Sequence, residues 1–175
     1  MIFKTFNNLN TIIPSILLQK LNQDFILIVS NFNLLFSINI FKKHLGLQYK
    51  ILSCISGVDF INNIYRFSIV YELLSITFNS RIRIKIFLQD CEYISSISKI
   101  FINANWWERE IWDLFGIIFE NHLDLRRILN DYSFEGYPMR KDFPLSGFVE
   151  TKYYKNSVNQ FKIQFSQELR STIYF

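Results

Sequence analysis

The chain has 175 residues, half of them hydrophobic and 18% aromatic, with a formal net charge of +4. That length suits one domain with a sizeable core, and the composition excludes a disordered or collagen-like protein. The basic excess is scattered rather than run together, so it fits an acidic partner, an anionic lipid surface or nucleic acid without selecting one, and the apolar load implies surface covered by partners.

Residues 12–21 read as a short amphipathic helix, with Pro14 in the first turn where a missing N–H costs little, closed by Asp24. Residues 25–29 make a buried strand, and 36–45 fit a second helix ended at Gly46, although their β-branched and aromatic residues leave its type ambiguous. The apolar run 25–40 comes nearest to a membrane span, but Ser30, Asn31, Asn33, Ser37 and Asn39 interrupt it. The opening residues do not read as a cleavable signal or transit peptide, since Lys4 is followed by Asn7, Asn8 and Asn10.

Three strands follow, at 49–55, 65–76 and 81–88, with Gly57-Val58-Asp59 and Asn62-Asn63 loosening the first link. In the third, Arg81, Arg83 and Lys85 alternate with Ile82, Ile84 and Ile86, so one face is wet and the other packs. Phe78-Asn79-Ser80 turns the last two into an antiparallel hairpin. Residues 93–101 place Ile94, Ile97, Ile100 and Phe101 at helical spacing. The next helix starts at Asn105 as N-cap, with Glu108 completing a capping box, and runs to Phe115 before Gly116. On it Trp107, Ile111, Leu114 and Phe115 share a stripe, Glu108 and Glu110 favour the positive end, and Arg109 and Asp113 pair on the exposed side. Asp124, Arg126, Arg127 and Asp131 then bracket Leu125, Ile128 and Leu129 in a short helical turn. Beyond Phe119 the chain becomes irregular, and residues 149–175 read as an extended tail ordered by whatever it lies against. The fold class is therefore α+β: a small, mostly antiparallel sheet packed with helices, followed by an irregular, extended C-terminal tail.

Cys54 and Cys91 have no partner at metal-ligand spacing and read as two buried thiols in a reducing compartment. Glu108 and Glu110 are two apart and diverge on a helix, which defeats joint use of one ion. His122 has no nucleophile in a recognisable elbow and reads as a structural hydrogen-bonding group, with a hydrolase centred on it as an alternative; His44 reads as a surface group near a helix end. Glu135, Arg140, Lys141 and Asp142 crowd among Tyr132, Phe134, Tyr137, Met139 and Phe143, a mixture that suits either a protein interface or intrachain pairing of an irregular loop.

Three blocks carry a resemblance. They are Glu108-Arg109-Glu110-Ile111-Trp112-Asp113-Leu114-Phe115-Gly116-Ile117 with Phe119, His122 and Leu125-Arg126-Arg127-Ile128-Leu129; then Asp131-Tyr132, Phe134-Glu135-Gly136, Pro138 and 140–147; and upstream Arg66-Phe67, Val70-Tyr71, Leu73-Leu74-Ser75 and 79–83. Together they resemble the 30 kDa-type subunit of respiratory complex I, the NADH:ubiquinone oxidoreductase, over roughly residues 52–150. Leu123 stands where the family usually has proline, Tyr137 where it often has histidine, and Lys152-Tyr153-Tyr154-Lys155 where relatives are commonly acidic.

The resemblance implies a core domain over 1–130 and an extended segment over 131–175 that wraps partners, the 49 kDa-type subunit and the terminal-cluster, 20 kDa-type subunit. It implies a non-redox scaffold of the quinone-reducing module, peripheral on the matrix side of the mitochondrial inner membrane, with FMN, NADH, iron–sulfur clusters and ubiquinone held by other subunits. Its interface and structural residues would be Trp107, Glu108, Arg109, Glu110, Trp112, Asp113, His122, Arg126, Arg127, Arg140, Lys141 and Asp142. Of these, Arg126, Arg127, Arg140, Lys141 and Asp142 would clamp the partner, while Trp107, Trp112 and Phe115 fix the helix. An independent adaptor or basic nucleic-acid-binding module is the alternative from another class.

Overall fold

The computed structural model describes residues 17–21, 24–154 and 157–162, with side chains described over 25–148. Five strands make one sheet in the order β1-β2-β5-β4-β3: β1 (Leu17–Leu21), β2 (Asp24–Ile28), β3 (Ile51–Asp59), β4 (Phe67–Ser75) and β5 (Ser80–Leu88). All neighbours are antiparallel except β2 and β5. The β2-to-β5 crossover contains α1 (Leu34–Lys43) together with the β3–β4 hairpin. A second helix, α2 (Ala104–Phe115), lies between the two-residue strands β6 (Ile94–Ser95) and β7 (Phe119–Glu120), which pair in parallel. Residues 149–162 close the described chain as an antiparallel hairpin, β8 (Val149–Tyr154) and β9 (Ser157–Lys162). The fold is mixed α+β.

Period-two alternation builds the core. Ile82, Ile84, Ile86 and Leu88 of β5 face Leu73, Tyr71, Ile69 and Phe67 of β4 across the register, and all eight are buried. Leu34, Ile38 and Phe41 of α1 and Ile111 and Phe115 of α2 join the same cluster. Asn79 takes a positive φ of 44° in the turn that closes the β4–β5 hairpin.

Several sequence readings change. Residues 17–21, expected to end a helix, are strand β1: their backbone pairs with β2 from Leu17↔Ile28 to Leu21↔Asp24, and a short apolar run is ambiguous until its hydrogen-bond partners are known. Residues 12–16 of that expected helix lie outside the described residues. The helix α1 starts two residues earlier than expected and stops at extended His44 rather than at Gly46, because Leu47 and Tyr49 turn back beneath it. Residues 93–101 are not helical: β6 takes Ile94 and Ser95, and a tight turn follows in which Ile100 and Phe101 N–H donate to the Ile97 carbonyl. Ile94, Ile97 and Phe101 are nevertheless buried and Ile100 half-buried, so helical spacing signalled burial and not helix. The two thiols are not both buried as expected: Cys91, at φ 66° in the turn before β6, is exposed, and Cys54 is half-buried. Residues 149–162, expected within one extended tail, turn back on themselves as the β8–β9 hairpin; residues 163–175 lie outside the described residues.

Gly57 does not loosen the link after β3; it sits within the strand. A Cβ there would come within 2.9 Å of the Phe115 ring, so the missing side chain lets α2 lie close on β3. Gly57→Ala should therefore cost about 1–3 kcal/mol through overpacking. Denaturant unfolding would measure this, and Phe115→Leu in the Gly57→Ala background should return part of the loss.

Candidate functional site

A helix leaves its last four carbonyls without intrahelical donors. At the end of α2 each is met. Gly116, at φ 77°, donates its N–H to Trp112 O at 2.8 Å. Arg127 Nη1 and Asn130 Nδ2 reach Asp113 O, both at 3.4 Å. Met139 N–H donates to Leu114 O at 3.1 Å, and Arg140 Nε to Phe115 O at 2.6 Å. The irregular segment after β7 is thus the C-terminal cap of α2, and its two guanidinium groups sit at the negative end of the helix dipole.

Asp113 anchors that cap. Its carboxylate, fully buried, accepts from Arg127 Nη1 (2.7 Å) and Asn130 Nδ2 (2.9 Å) through Oδ1, and from the N–H groups of Ile128 (3.2 Å), Leu129 (2.9 Å) and Asn130 (3.0 Å) through Oδ2. Burial by itself raises its pKa, but the Asn130 and Leu129 N–H groups, the Asn130 amide and the Arg127 guanidinium outweigh that and hold it at about 2. Three successive N–H groups on one oxygen make an anion nest, here filled by the chain's own side chain. Residues 124–131 are accordingly not the expected helical turn: 127–130 bend around a carboxylate. Nor does Asp113 pair with Arg109 on the surface. Arg109 is buried too, donates to Arg126 O at 3.1 Å and lies over the Trp106 ring.

Glu108 is turned inward rather than capping the helix. The helix begins after Asn103, which makes no side-chain cap bond, and Asn105 lies inside it with its Oδ1 buried and without a partner among the described residues. The fully buried Glu108 carboxyl accepts from Ser96 Oγ (2.5 Å) and Ile97 N–H (2.8 Å), which is what bends residues 96–97 away from helix. Desolvation raises its pKa to about 7 against the pull of those two bonds, and burial, with the Glu108 charge added, raises that of Tyr71. His122 packs beside it with a side chain only 1% exposed. Its Nδ1 accepts the Asp124 N–H at 3.1 Å, leaving Nε2 to donate to Asn105 O at 3.3 Å, with Glu108 Oε2 3.7 Å away. A base so enclosed is out of a substrate's reach, which argues against a hydrolase centred on it.

A third carboxylate holds the far end of the segment. Asp59 accepts from Arg66 Nε (3.1 Å) and Nη2 (3.3 Å) and from the Lys141 N–H (2.7 Å). Arg66 also meets Asp142 at 2.8 Å and Asp90 at 3.3 Å, and its hydrogen bonds to Asp59 above all raise its pKa. Arg140 lies between the rings of Phe67 and Tyr137, and Arg127 lies over those of Trp112, Phe134 and Tyr137. Tyr137 also fills the space beside Gly116, where a Cβ would meet its ring at 2.5 Å.

Among the twelve residues singled out from sequence, Glu108, Arg109, Asp113, His122, Arg127, Arg140 and Asp142 make these intrachain contacts. Trp107 and Trp112 pack half-buried on the core, and Glu110 is half-buried. Arg126, paired with Asp124 at 3.0 Å, and the Lys141 side chain face outward. Sequence reading missed Asp59, Ser96 and Asn130. Asp59 alone left a signal: it continues the alternation Ile55, Gly57, Asp59 onto the buried face. Among the described residues no group of three or more His, Cys, Asp or Glu is placed to hold a metal, and no helix is long and apolar enough to cross a membrane.

Comparison with known proteins gives one pattern. The family model described as respiratory-chain NADH dehydrogenase, 30 Kd subunit, matches residues 27–149. NADH-ubiquinone oxidoreductase subunit 9 of Reclinomonas americana is 50% identical over 142 residues, covering 79% of this chain and 69% of its own. NADH dehydrogenase (ubiquinone) iron-sulfur protein 3 of Patellifolia webbiana is 48% identical over 145 residues, 81% of this chain and 75% of its own. A chain of the membrane-bound sulfane sulfur reductase, an archaeal respiratory membrane complex, superposes with a TM-score of 0.71 at 20% identity, over 82% of this chain and 85% of that one, which shows a shared fold.

Two outcomes test the geometry. Asp113→Asn removes the charge from five donors and should cost on the order of 3 kcal/mol, with faster amide exchange at Ile128, Leu129 and Asn130. Glu108 behaves oppositely. Because its folded pKa of about 7 lies above the unfolded value, the unfolded chain sheds the proton first, and stability falls from about pH 4.5 to pH 7 and is then flat. Glu108→Gln should abolish that part of the decline, gaining on the order of 3 kcal/mol relative to wild type between pH 4.5 and pH 8 in denaturant unfolding.

Proposed function

The chain belongs to the 30 kDa subunit family of respiratory-chain NADH dehydrogenase, and on that premise we propose that it is a non-redox scaffold of the quinone-reducing module in the matrix arm. As a family member it is a mitochondrial complex I subunit, and the proposal gives it no catalytic site of its own. In the proposed reading FMN, NADH, the iron–sulfur clusters and ubiquinone are held by other subunits. The name of one set of relatives contains the words iron-sulfur. This chain has two cysteines, half the thiolates of a four-cysteine cluster.

One observation carries the proposal. The cap over α2 is tied down by two buried carboxylates, Asp113 and Asp59, yet it turns Leu123, Leu129, Tyr132, Met139 and Leu145 outward, between 53% and 85% exposed. An irregular segment so firmly fixed and so apolar outside supports the reading of a preformed docking face, where little ordering entropy is lost on binding. The partners that suit it are the 49 kDa-type and 20 kDa-type subunits, met by this face and by the segment 131–175, with Arg126 and the Lys141 side chain as outward charges beside the apolar groups. The intrachain roles of Arg127, Arg140 and Asp142 then make them clamps at one remove: they hold the face that meets the partner. Such stiffness serves a site whose reacting groups must stay within about 0.5 Å.

Replacing Leu129 and Tyr132 together with aspartate should lower the recovery of the chain in assembled NADH dehydrogenase about tenfold, and NADH:quinone turnover in proportion, since both side chains are exposed and their loss spares the fold. Normal assembly and turnover in that variant would sink the proposal.

A further inference from the structure

Both described helices pack on one face of the sheet: α1 and α2 each contribute to the core cluster that includes Leu73, Tyr71, Ile69, Ile82, Ile84 and Ile86. Register defines the opposite face of the three strands β3, β4 and β5. There Arg81 stands opposite Leu74, Arg83 opposite Glu72, Lys85 opposite Val70 and Phe87 opposite Ser68. On β3, Ile51 pairs with Leu74 and Val58 with Ser68, so apolar groups lie at both ends and the cations between them.

Charge on this face is unbalanced. These strands set Arg81, Arg83 and Lys85 against Glu72 as their one carboxylate, and Arg83 Nε already donates to Glu72 at 2.6 Å. Arg81 and Lys85 form no ion pair among the described residues. Ile51, Val58 and Phe87 remain 36–38% exposed beside them. A recess of about 50 Å³ opens between Ser53, Glu72, Arg81 and Arg83. It has room for a carboxylate head group and is far below the roughly 300–1,000 Å³ of a small-molecule cleft.

From this arrangement we infer that this face of β3, β4 and β5, which neither described helix covers, is a second docking surface, and that its occupant is an acidic amphipathic helix of another polypeptide in the assembly, laid along β5. Complementarity of charge selects the acid. An occupant on a sheet face gains no backbone pairing from the sheet, so it must satisfy its own N–H and C=O groups, as a helix does. Spacing agrees: alternate residues of a strand lie about 6.7 Å apart, and residues four apart on a helix rise about 6 Å, so carboxylates on successive turns track the row Arg81, Arg83, Lys85. The carboxylate nearest Arg81 enters the recess, and apolar residues of the same helix cover Ile51, Val58 and Phe87. This surface is independent of the face formed by residues 123–145.

A zero-length carbodiimide, which joins a lysine amine directly to a carboxylate, tests the inference in the intact assembly. The expected product joins Lys85 to an Asp or Glu of another polypeptide that has a further acidic residue three or four positions away. With Arg81→Glu and Lys85→Glu together, recovery of that polypeptide with the assembly should fall at least about tenfold, since like charges then oppose. Coupling of Lys85 only to carboxylates of this chain or of a second copy would overturn the inference. So would free acylation of Lys85 in the intact assembly, protection that delipidation removes, or a coupled partner segment lacking the second acid.

Discussion

The rest of the molecule depends on the carboxylate of Asp113. A negative charge buried near the negative end of a helix is unfavourable on two counts, desolvation and dipole, and is tolerable only if donors converge on it. Here five hydrogen bonds do so. They come from residues 127–130, which have no regular structure of their own, so one interaction neutralises the helix end and gives the following segment its course. The open carbonyls of α2 extend the effect to Met139 and Arg140.

Glu108 and Asp59 repeat the device with different electrostatics. Each is a buried acid that accepts backbone N–H groups from irregular chain, Ile97 for one and Lys141 for the other. Asp113 has enough donors, one of them cationic, to stay ionised well below neutral pH. Glu108 has two neutral donors and a histidine at 3.7 Å, and burial wins. The number and charge of the donors, rather than depth alone, decide which carboxylate titrates near neutrality. A subunit without chemistry of its own can still matter to a redox assembly in this way. Buried acids convert loop into rigid surface, and rigid surface sets the distance between neighbours.

Sequence by itself determined the elements whose signal is local. The alternation through residues 81–88, the turn at Asn79 and the stop of α2 at Gly116 all follow from side-chain period and backbone freedom, while the dense motif over 108–117 marks the family by resemblance alone. What only the tertiary structure decided was where each charge went. Arg109 and Asp113 sit four apart on a helix, a spacing that means surface pairing in an isolated helix, yet both are buried, because their partners arrive from 14 to 17 residues away. Asp59 meets the Lys141 N–H across 82 residues. Residues 17–21 and 93–101 were misread for the same reason: short apolar runs fit helix or strand equally until a distant backbone supplies the hydrogen bonds. Burying a polar group costs the same wherever it lies in the chain, but the group that satisfies it is chosen by the fold.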